Sequence, residues 1–374
     1  MKAKVAIRKI ETYQLQPIME AVGDFLSGID SVRFEEAKTV LIKPNLLANF
    51  PPEKAVTTHP VVLEAIIKYL LKLNKEVWLG DSPGGAGNIK QIWQTTGIQE
   101  LADKYPIKLV NFASFGVQEV DVNGFQLKIS KIVWAADAII NVSKYKTHGL
   151  MAYTGAVKNL YGLIPGMIKT EYHKQYPDTD GFGHMLAAVY KAVKHRVVYN
   201  IMDGIVGMDG AGPSAGKPRN FGLLFGSASA PSLDYLASSY MGFSLKHVGY
   251  VKEALHEDGI IPSGIEFPVS FNSFRLDKVN KQRSHFSSQL LRYVPPKIHL
   301  VLEKMFDFYP YITDRCKVCH ICVKSCPVKT IEIGEDKLPV VKTDNCIRCL
   351  CCHEMCPYQA IDIHKSVLAK LLMA

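Results

Sequence analysis

Short apolar runs, each four to six residues long and bounded by polar or turn residues, recur through the first 290 positions. They fall at 39–42, 77–80, 108–112, 138–142, 197–202 and 221–225. Their length and mostly apolar character predict strands buried on both faces. Between several of them the apolar spacing lengthens to three and four, which predicts helices over 61–73 and 89–104. Strands alternating with helices predict an α/β domain built on a mostly parallel sheet. The stretch 126–134 alternates apolar and polar residues and predicts an antiparallel edge strand.

The pattern breaks at Pro295-Pro296. Residues 297–308 read as a short amphipathic helix, and Pro310 closes it. A small cysteine-rich region follows. After it, 364–374 reads as a helix with Val367, Leu368, Leu371 and Leu372 on one stripe, suited to docking and far too short to span a bilayer. The expected organisation is an α/β domain over 1–290, a linker helix over 291–311, and a small α+β domain over 312–374 that ends in the short helix.

Composition narrows the class. The chain has 374 residues, 48% of them hydrophobic, enough for a sizeable core. It shows no apolar run of membrane-spanning length, and its first residues carry no signal-peptide core, so a soluble cytoplasmic protein without membrane contact is expected. The formal charge is +9. The lysines and arginines are spread out, with no basic arm and no helix-turn-helix pattern, which argues against a nucleic-acid partner.

All nine cysteines lie between Cys316 and Cys356. Eight of them form two runs, Cys316-x2-Cys319-x2-Cys322-x3-Cys326-Pro327 and Cys346-x2-Cys349-x2-Cys352-x3-Cys356-Pro357. Ile331 and Ile333 recur as Ile361 and Ile363, so the region is an internal duplication. Tight x2 loops wrap three thiolates around one iron–sulfur cubane, and the fourth cysteine, turned by its proline, reaches the other. The expected ligands are Cys316, Cys319, Cys322 and Cys356 for one [4Fe–4S] cluster, and Cys346, Cys349, Cys352 and Cys326 for the second. Zinc sites split their ligands into separated pairs, and secreted disulfide proteins distribute cysteine along their length; neither fits. The spacing is that of a bacterial-type two-cluster ferredoxin module. Two clusters bound by thiolates would bring the formal charge to about +5. The ninth thiol, Cys351, reads as a buried bystander.

Ligands in open α/β sheets bind beyond the carboxyl ends of the strands. Those ends carry Lys43-Pro44-Asn45, then Asp81-Ser82 with a glycine-rich loop, then Ser143-Lys144-Tyr145-Lys146-Thr147-His148, and Asp203-Gly204. In extended backbone Lys144, Lys146 and His148 point the same way. Thr154 reads as the cap of a helix start carrying Lys158 and Asn159, a second anion-friendly feature. Lys43, Asn45, Ser82, Lys144, Lys158 and Asn159 are the candidates for holding an anionic small molecule. Lys146, His148, Asp81 and Asp203 are the candidates for charge stabilisation and proton transfer. The glycine loop matches neither a Walker loop nor a dinucleotide fingerprint. Lys169 and His173 share a face if their stretch is helical.

Ile42-Lys43-Pro44-Asn45-Leu46, Gly80-Asp81-Ser82-Pro83-Gly84-Gly85, Lys144-x-Lys146-Thr147-His148-Gly149, Gly155-Ala156-Val157-Lys158-Asn159-Leu160-Tyr161-Gly162 and Met202-Asp203-Gly204 occur in that order. Together they resemble the domain of unknown function 362, over roughly 38–242. Members often carry a C-terminal ferredoxin module, and the resemblance implies an iron–sulfur protein without supplying a substrate. The function expected is an iron–sulfur oxidoreductase that passes single electrons to an anionic substrate or cofactor at the sheet's carboxyl edge. A flavin would join one- to two-electron chemistry, although no motif establishes one. The alternatives are an electron-transfer partner without its own substrate and a cluster-based sensor. A redox partner protein is expected in each case.

Overall fold

The computed structural model describes residues 3–29, 31–84, 87–267, 279–280 and 308–366. The chain opens with β1 (Ala3–Lys4), β2 (Ala6–Lys9), α1 (Leu15–Ser27) and α2 (Val32–Glu36). Next come β3 (Thr39–Lys43), α3 (Pro60–Lys72), β4 (Glu76–Asp81), α4 (Ile89–Thr95), α5 (Ile98–Lys104) and β5 (Ile107–Asn111). The strands β6 (Val117–Val122) and β7 (Phe125–Ser130) and the turn α6 (Ile132–Ala135) precede a long β8 (Ala138–His148) and a short β9 (Ala152–Thr154). Then follow α7 (Ala156–Asn159), α8 (Ile168–Gln175), α9 (Thr179–Val193), β10 (Val197–Asp209) and β11 (Lys217–Ser227). Helices α10 (Ala230–Tyr240) and α11 (Gly249–Glu257) and strand β12 (Ile265–Glu266) complete this part.

The central sheet runs β2-β11-β10-β8-β3-β4-β5, with β9 hydrogen-bonded to β8. Pairings among β10, β8, β3, β4 and β5 are parallel, while β11 and β9 run antiparallel. Mixed α/β architecture on a mostly parallel sheet is therefore what the apolar pattern forms. Alternate residues face opposite layers. Val40, Ile42, Ile140 and Val142 pack with α1 and α3, while Leu41, Ile139 and Tyr145 pack with α9, α10 and α11. Helix α3 buries Val62, Leu63, Ile66, Ile67 and Leu70 at helical spacing. Each such side chain contributes about 1.5–3 kcal/mol on burial, so packing more than capping holds it.

Several expectations are corrected. The helix over 89–104 is broken after Thr96, because Gly97 takes a left-handed φ of 75° and ends the first helix. The stretch 126–134 is not an edge of the main sheet. Its strand β7 pairs only with β6, and Ile132–Ala135 is helical. Asn123 and Gly124, both at positive φ, form the two-residue turn of a separate hairpin. Thr154 ends β9 and does not cap α7; Gly155 holds the cap position.

Residues 308–366 form a small unit. Strand β13 (Phe308–Ile312) pairs with β16 (Ile361–Lys365), and β14 (Ile331–Ile333) with β15 (Pro339–Val341), both antiparallel. Two short helices, α12 (Ile321–Ser325) and α13 (Cys351–Met355), lie between them. The expected linker helix lies outside the described residues up to 307. Phe308 and Pro310 are in β13, and His364 and Lys365 are in β16 rather than in helices. Proline is tolerated there because β13 pairs with one strand among the described residues, and proline suits an edge strand. Residues 367–374 lie outside the described residues. The duplication is visible in the backbone. Val318, His320 and Lys329 have positive φ, and so do their equivalents Arg348, Leu350 and Gln359. Left-handed backbone at six non-glycine positions persists only where the surrounding structure enforces it.

Candidate functional site

The strands β3, β4 and β5 follow one another outward on one side of the sheet, and β8 and β10 on the other. The order therefore reverses between β3 and β8, which is where an open α/β sheet forms its binding crevice. Because β10, β8, β3 and β4 are adjacent and parallel, their ends bring Asp203, Lys144, Lys43 and Asp81 together. Strand β8 stays extended to His148, so Lys144, Lys146 and His148 continue one face; all three are at most 1% exposed.

Two of the lysines are neutralised locally. Lys43 donates to Asp81 at 2.9 Å, and Asp81 also accepts the amides of Leu46 and Ser82. Lys144 donates to Asp203 at 2.6 Å, and Asp203 also accepts from the Tyr13 hydroxyl and the His59 amide. The Tyr13 and His59 rings stack at 3.5 Å over this pair. Burial pushes the Tyr13 phenol far up, with Asp203 adding to it, so Tyr13 remains a donor. Burial also lowers both lysines, while each partner carboxylate opposes the shift. Each carboxylate thus meets at least three donors within the crevice.

Lys146 is different. Among the described residues it donates to neutral oxygens only, Asn45 Oδ1 at 2.9 Å and the Val56 carbonyl at 2.6 Å. Burial, then the charge of Lys158, push it well below its ordinary value. Asn45 starts a chain of amides: Asn45 donates to Asn159, Asn159 to Asn141 and Asn141 to Asn200. This chain fixes the oxygen that Lys146 uses. Ser82 accepts from the Gly166 amide through its hydroxyl and from Lys169 through its carbonyl. Burial lowers Lys169 to about 7, and Asp81 opposes that shift. On α8, His173 is buried between Tyr161 and Phe182, and burial takes it down to about 3. It serves as packing. The start of α7 is closed already: Asp234 accepts the amides of Ala156 and Val157 at 2.6 and 2.8 Å.

The small C-terminal unit supplies a residue that the sequence reasoning missed. Glu354, on α13, places Oε1 3.4 Å from His148 Nε2. The fields of Lys158 and Lys146 act on it, against a burial that pushes its carboxyl up to about 7. Next to it, Met355 packs among Ala48, Phe50, Val56 and Met208, and Gln359 donates to the Ser214 carbonyl at 2.6 Å. The unit thus rests on the carboxyl edge of the sheet through α13. One signal was available in the sequence. At the position of Glu354 the first half of the duplication has Lys324, a reversal of charge inside a repeat.

The eight cysteines of the two runs line two cavities in the crossed arrangement. Cys316, Cys319, Cys322 and Cys356 line one, and Cys326, Cys346, Cys349 and Cys352 line the other. Backbone amides donate to four sulfurs at matching places. Val318 and Arg348 donate to Cys316 and Cys346, and Thr330 and Ala360 to Cys326 and Cys356, at 3.3–3.4 Å. Burial raises Cys322 to about 11, with Cys356, Cys319 and Cys316 adding to it. Ionising all four thiols in such a space requires a cationic centre. Among the described residues no three His, Cys, Asp or Glu side chains converge as they would on a single ion; the sulfurs stand around cavities instead. Cys351 is buried, and its thiol hydrogen-bonds Cys349. Its field also reaches Lys158.

The profile of a family described as Domain of unknown function (DUF362) matches residues 40–239, more than half of the chain. Thylakoid-associated protein sll1697 from Synechocystis sp. (strain ATCC 27184 / PCC 6803 / Kazusa) is 27% identical over 325 residues, 81% of this chain and 100% of its own. The lactate racemase apoprotein from Thermoanaerobacterium thermosaccharolyticum aligns with a TM-score of 0.40 and 14% identity, over 64% of this chain and 57% of that one. Among the described residues no helix is long and apolar enough to cross a membrane.

Proposed function

Because the chain belongs to the DUF362 family, whose name states no activity, we propose its function from the site itself: an iron–sulfur oxidoreductase delivering single electrons to the carboxyl edge of its sheet. Residues 308–366 are read as a two-cluster ferredoxin module. Cys316, Cys319, Cys322 and Cys356 would hold one [4Fe–4S] cluster, and Cys326, Cys346, Cys349 and Cys352 the other. The two cysteine-lined cavities, with amide donors aimed at the sulfurs, fit such groups. When bound, the clusters supply one-electron chemistry.

The observation that carries this reading is the placement of α13. Its Cys352 lines one of the cavities, while its Glu354 enters the group of Lys146, Lys158 and His148. A single short helix therefore separates the cysteine cavity from the crevice. In the crevice Lys146 and Lys158 attract an anion, the amide chain from Asn45 orients Lys146, and His148 presents a proton on Nε2. No residue set is assigned to a flavin. The protein would work in the cytoplasm with a redox partner protein. The relative named as thylakoid-associated also makes attachment to a membrane surface a reading to test by fractionation.

The test is anaerobic purification followed by iron and sulfide analysis and electron paramagnetic resonance. About eight irons and eight sulfides per chain are expected. Stoichiometric zinc in their place would overturn the proposal. A second reading, an electron carrier without its own substrate, draws support from Glu354 already standing in the crevice. Native mass spectrometry of the anaerobic protein separates the two, since only the first predicts a co-purifying small anion.

A further inference from the structure

Four lysines of the crevice were expected to face an anion, and the structure divides them. Lys43 and Lys144 each have a carboxylate of their own within 2.9 Å. Lys146 bonds only to neutral oxygens, and Lys158 has no hydrogen-bonding acceptor among the described residues. Both lie within the field of one carboxylate, Glu354, yet neither forms an ion pair with it among the described residues. Glu354 is 8% exposed, and among the described residues its Oε1 accepts no hydrogen bond. The third group facing it is His148. Its Nδ1 accepts from the amides of Leu150 and Met151 at 3.1 and 3.2 Å, which leaves the ring proton on Nε2, towards Glu354. One N–H thus faces this carboxylate at 3.4 Å, two lysines lie within its field, and the carboxylate comes from the other structural unit.

We infer that Lys146, Lys158 and His148 form a subsite for the carboxylate of a small-molecule substrate, and that Glu354 occupies this subsite until the substrate replaces it. The inference rests on reading the carboxyl edge as the reaction site. Lys146 is 1% exposed and Lys158 is half-buried beside it; a buried cation with no anion near it carries a large desolvation cost, and Glu354 lowers that cost between turnovers. The group that replaces it must match its size and charge. A phosphoryl group would instead call for backbone amides at a helix start. The start of α7, the helix that carries Lys158, already holds Asp234. Glu354 also marks which end of the substrate lies nearest the cysteine cavities. The carboxylate binds under α13, so the group that receives the electron lies within a few bonds of it.

The test replaces Glu354 with alanine in the full anaerobic chain and uses formate and acetate as probes. In Glu354→Ala, about 100 mM formate should raise the thermal midpoint by roughly 5 °C, as expected for a ligand well above its dissociation constant. Wild type should not respond, and neither should Glu354→Ala/Lys158→Met. Chloride and phosphate at equal ionic strength should do less than formate. An equal response in wild type or in the double variant, or an equal effect of chloride or phosphate, overturns the subsite. If Glu354→Ala does not fold, Glu354→Ser, which also vacates the carboxylate's place, is read in the same way. Iron and sulfide are measured on the same samples. Clusters with no formate response would sink the subsite and leave the electron-transfer reading standing; a formate response in a protein that never holds iron would do the reverse.

Discussion

Lys324 and Glu354 occupy equivalent positions in the two halves of the cysteine duplication, and the structure exposes the first and buries the second against His148. The repeat sets the backbone of both helices, but only α13 meets the sheet. Lys324→Glu should therefore change stability by no more than about 0.5 kcal/mol, as at most exposed sites. Glu354→Lys would place a third ammonium beside Lys146 and Lys158 and should cost more than about 4 kcal/mol. Denaturant unfolding of both variants checks this, and similar losses in the two would contradict the docking described.

Breaking a buried ion pair on one side strands the other charge. Asp203→Asn leaves Lys144 without its carboxylate and should destabilise the α/β part by about 3–5 kcal/mol. Lys144→Met/Asp203→Leu should recover most of that loss, because neither charge is then buried. A single variant losing under 1 kcal/mol would mean that solvent reaches the pair.

Gly162 sits against the other pair. A methyl group there would overlap Asp81 Oδ1 and Lys43 Nζ. Gly162→Ala should cost about 1–3 kcal/mol through this overpacking, and the loss should shrink in a Lys43→Met background. Equal losses in both backgrounds would place the strain elsewhere.

Two groups set opposite pH limbs. Burial lifts Asp234 from 3.8 to about 7, so the folded state binds the extra proton between those values and stability falls as pH rises through them. Burial lowers Lys169 from 10.5 to about 7. The unfolded state then binds the extra proton, and stability rises as pH climbs from 7 towards 10.5. Asp234→Asn should make the acid limb shallower, leaving the share that Glu354 contributes, and Lys169→Met should do the same to the alkaline one, which other buried lysines share. The readout is the unfolding free energy at intervals of pH, and a limb whose slope its variant leaves unchanged refutes the assignment.

The crossed cavities predict crossed damage. Cys356→Ser should alter the signal of the cluster assigned to Cys316, Cys319 and Cys322, and Cys326→Ser the signal of the other. Cys351→Ser should keep the full iron content. It should shift the spectrum of the cluster assigned to Cys349, because its thiol hydrogen-bonds that residue. Damage confined to each cysteine's own run would rule out the crossing.

The sequence by itself determined whatever depends on neighbours along the chain. Runs such as 39–42 and 138–142 became β3 and β8, because parallel strands buried on both faces need mostly apolar residues. The cysteine spacing and its repeat specified two equivalent loops, and six left-handed residues recur in register. Position after a strand end was enough to bring Lys43, Asp81, Lys144 and Asp203 to one edge. It did not show that these four neutralise one another in pairs, nor that Asp234 closes the start of α7. Tertiary structure alone decided that Lys146 and Lys158 have no ion-pair partner among the described residues and that Glu354 comes within their field. Local spacing fixes where a side chain points, whereas burial and field are sums over groups far apart in sequence. Glu354 meets His148 only after α13 has docked on the sheet.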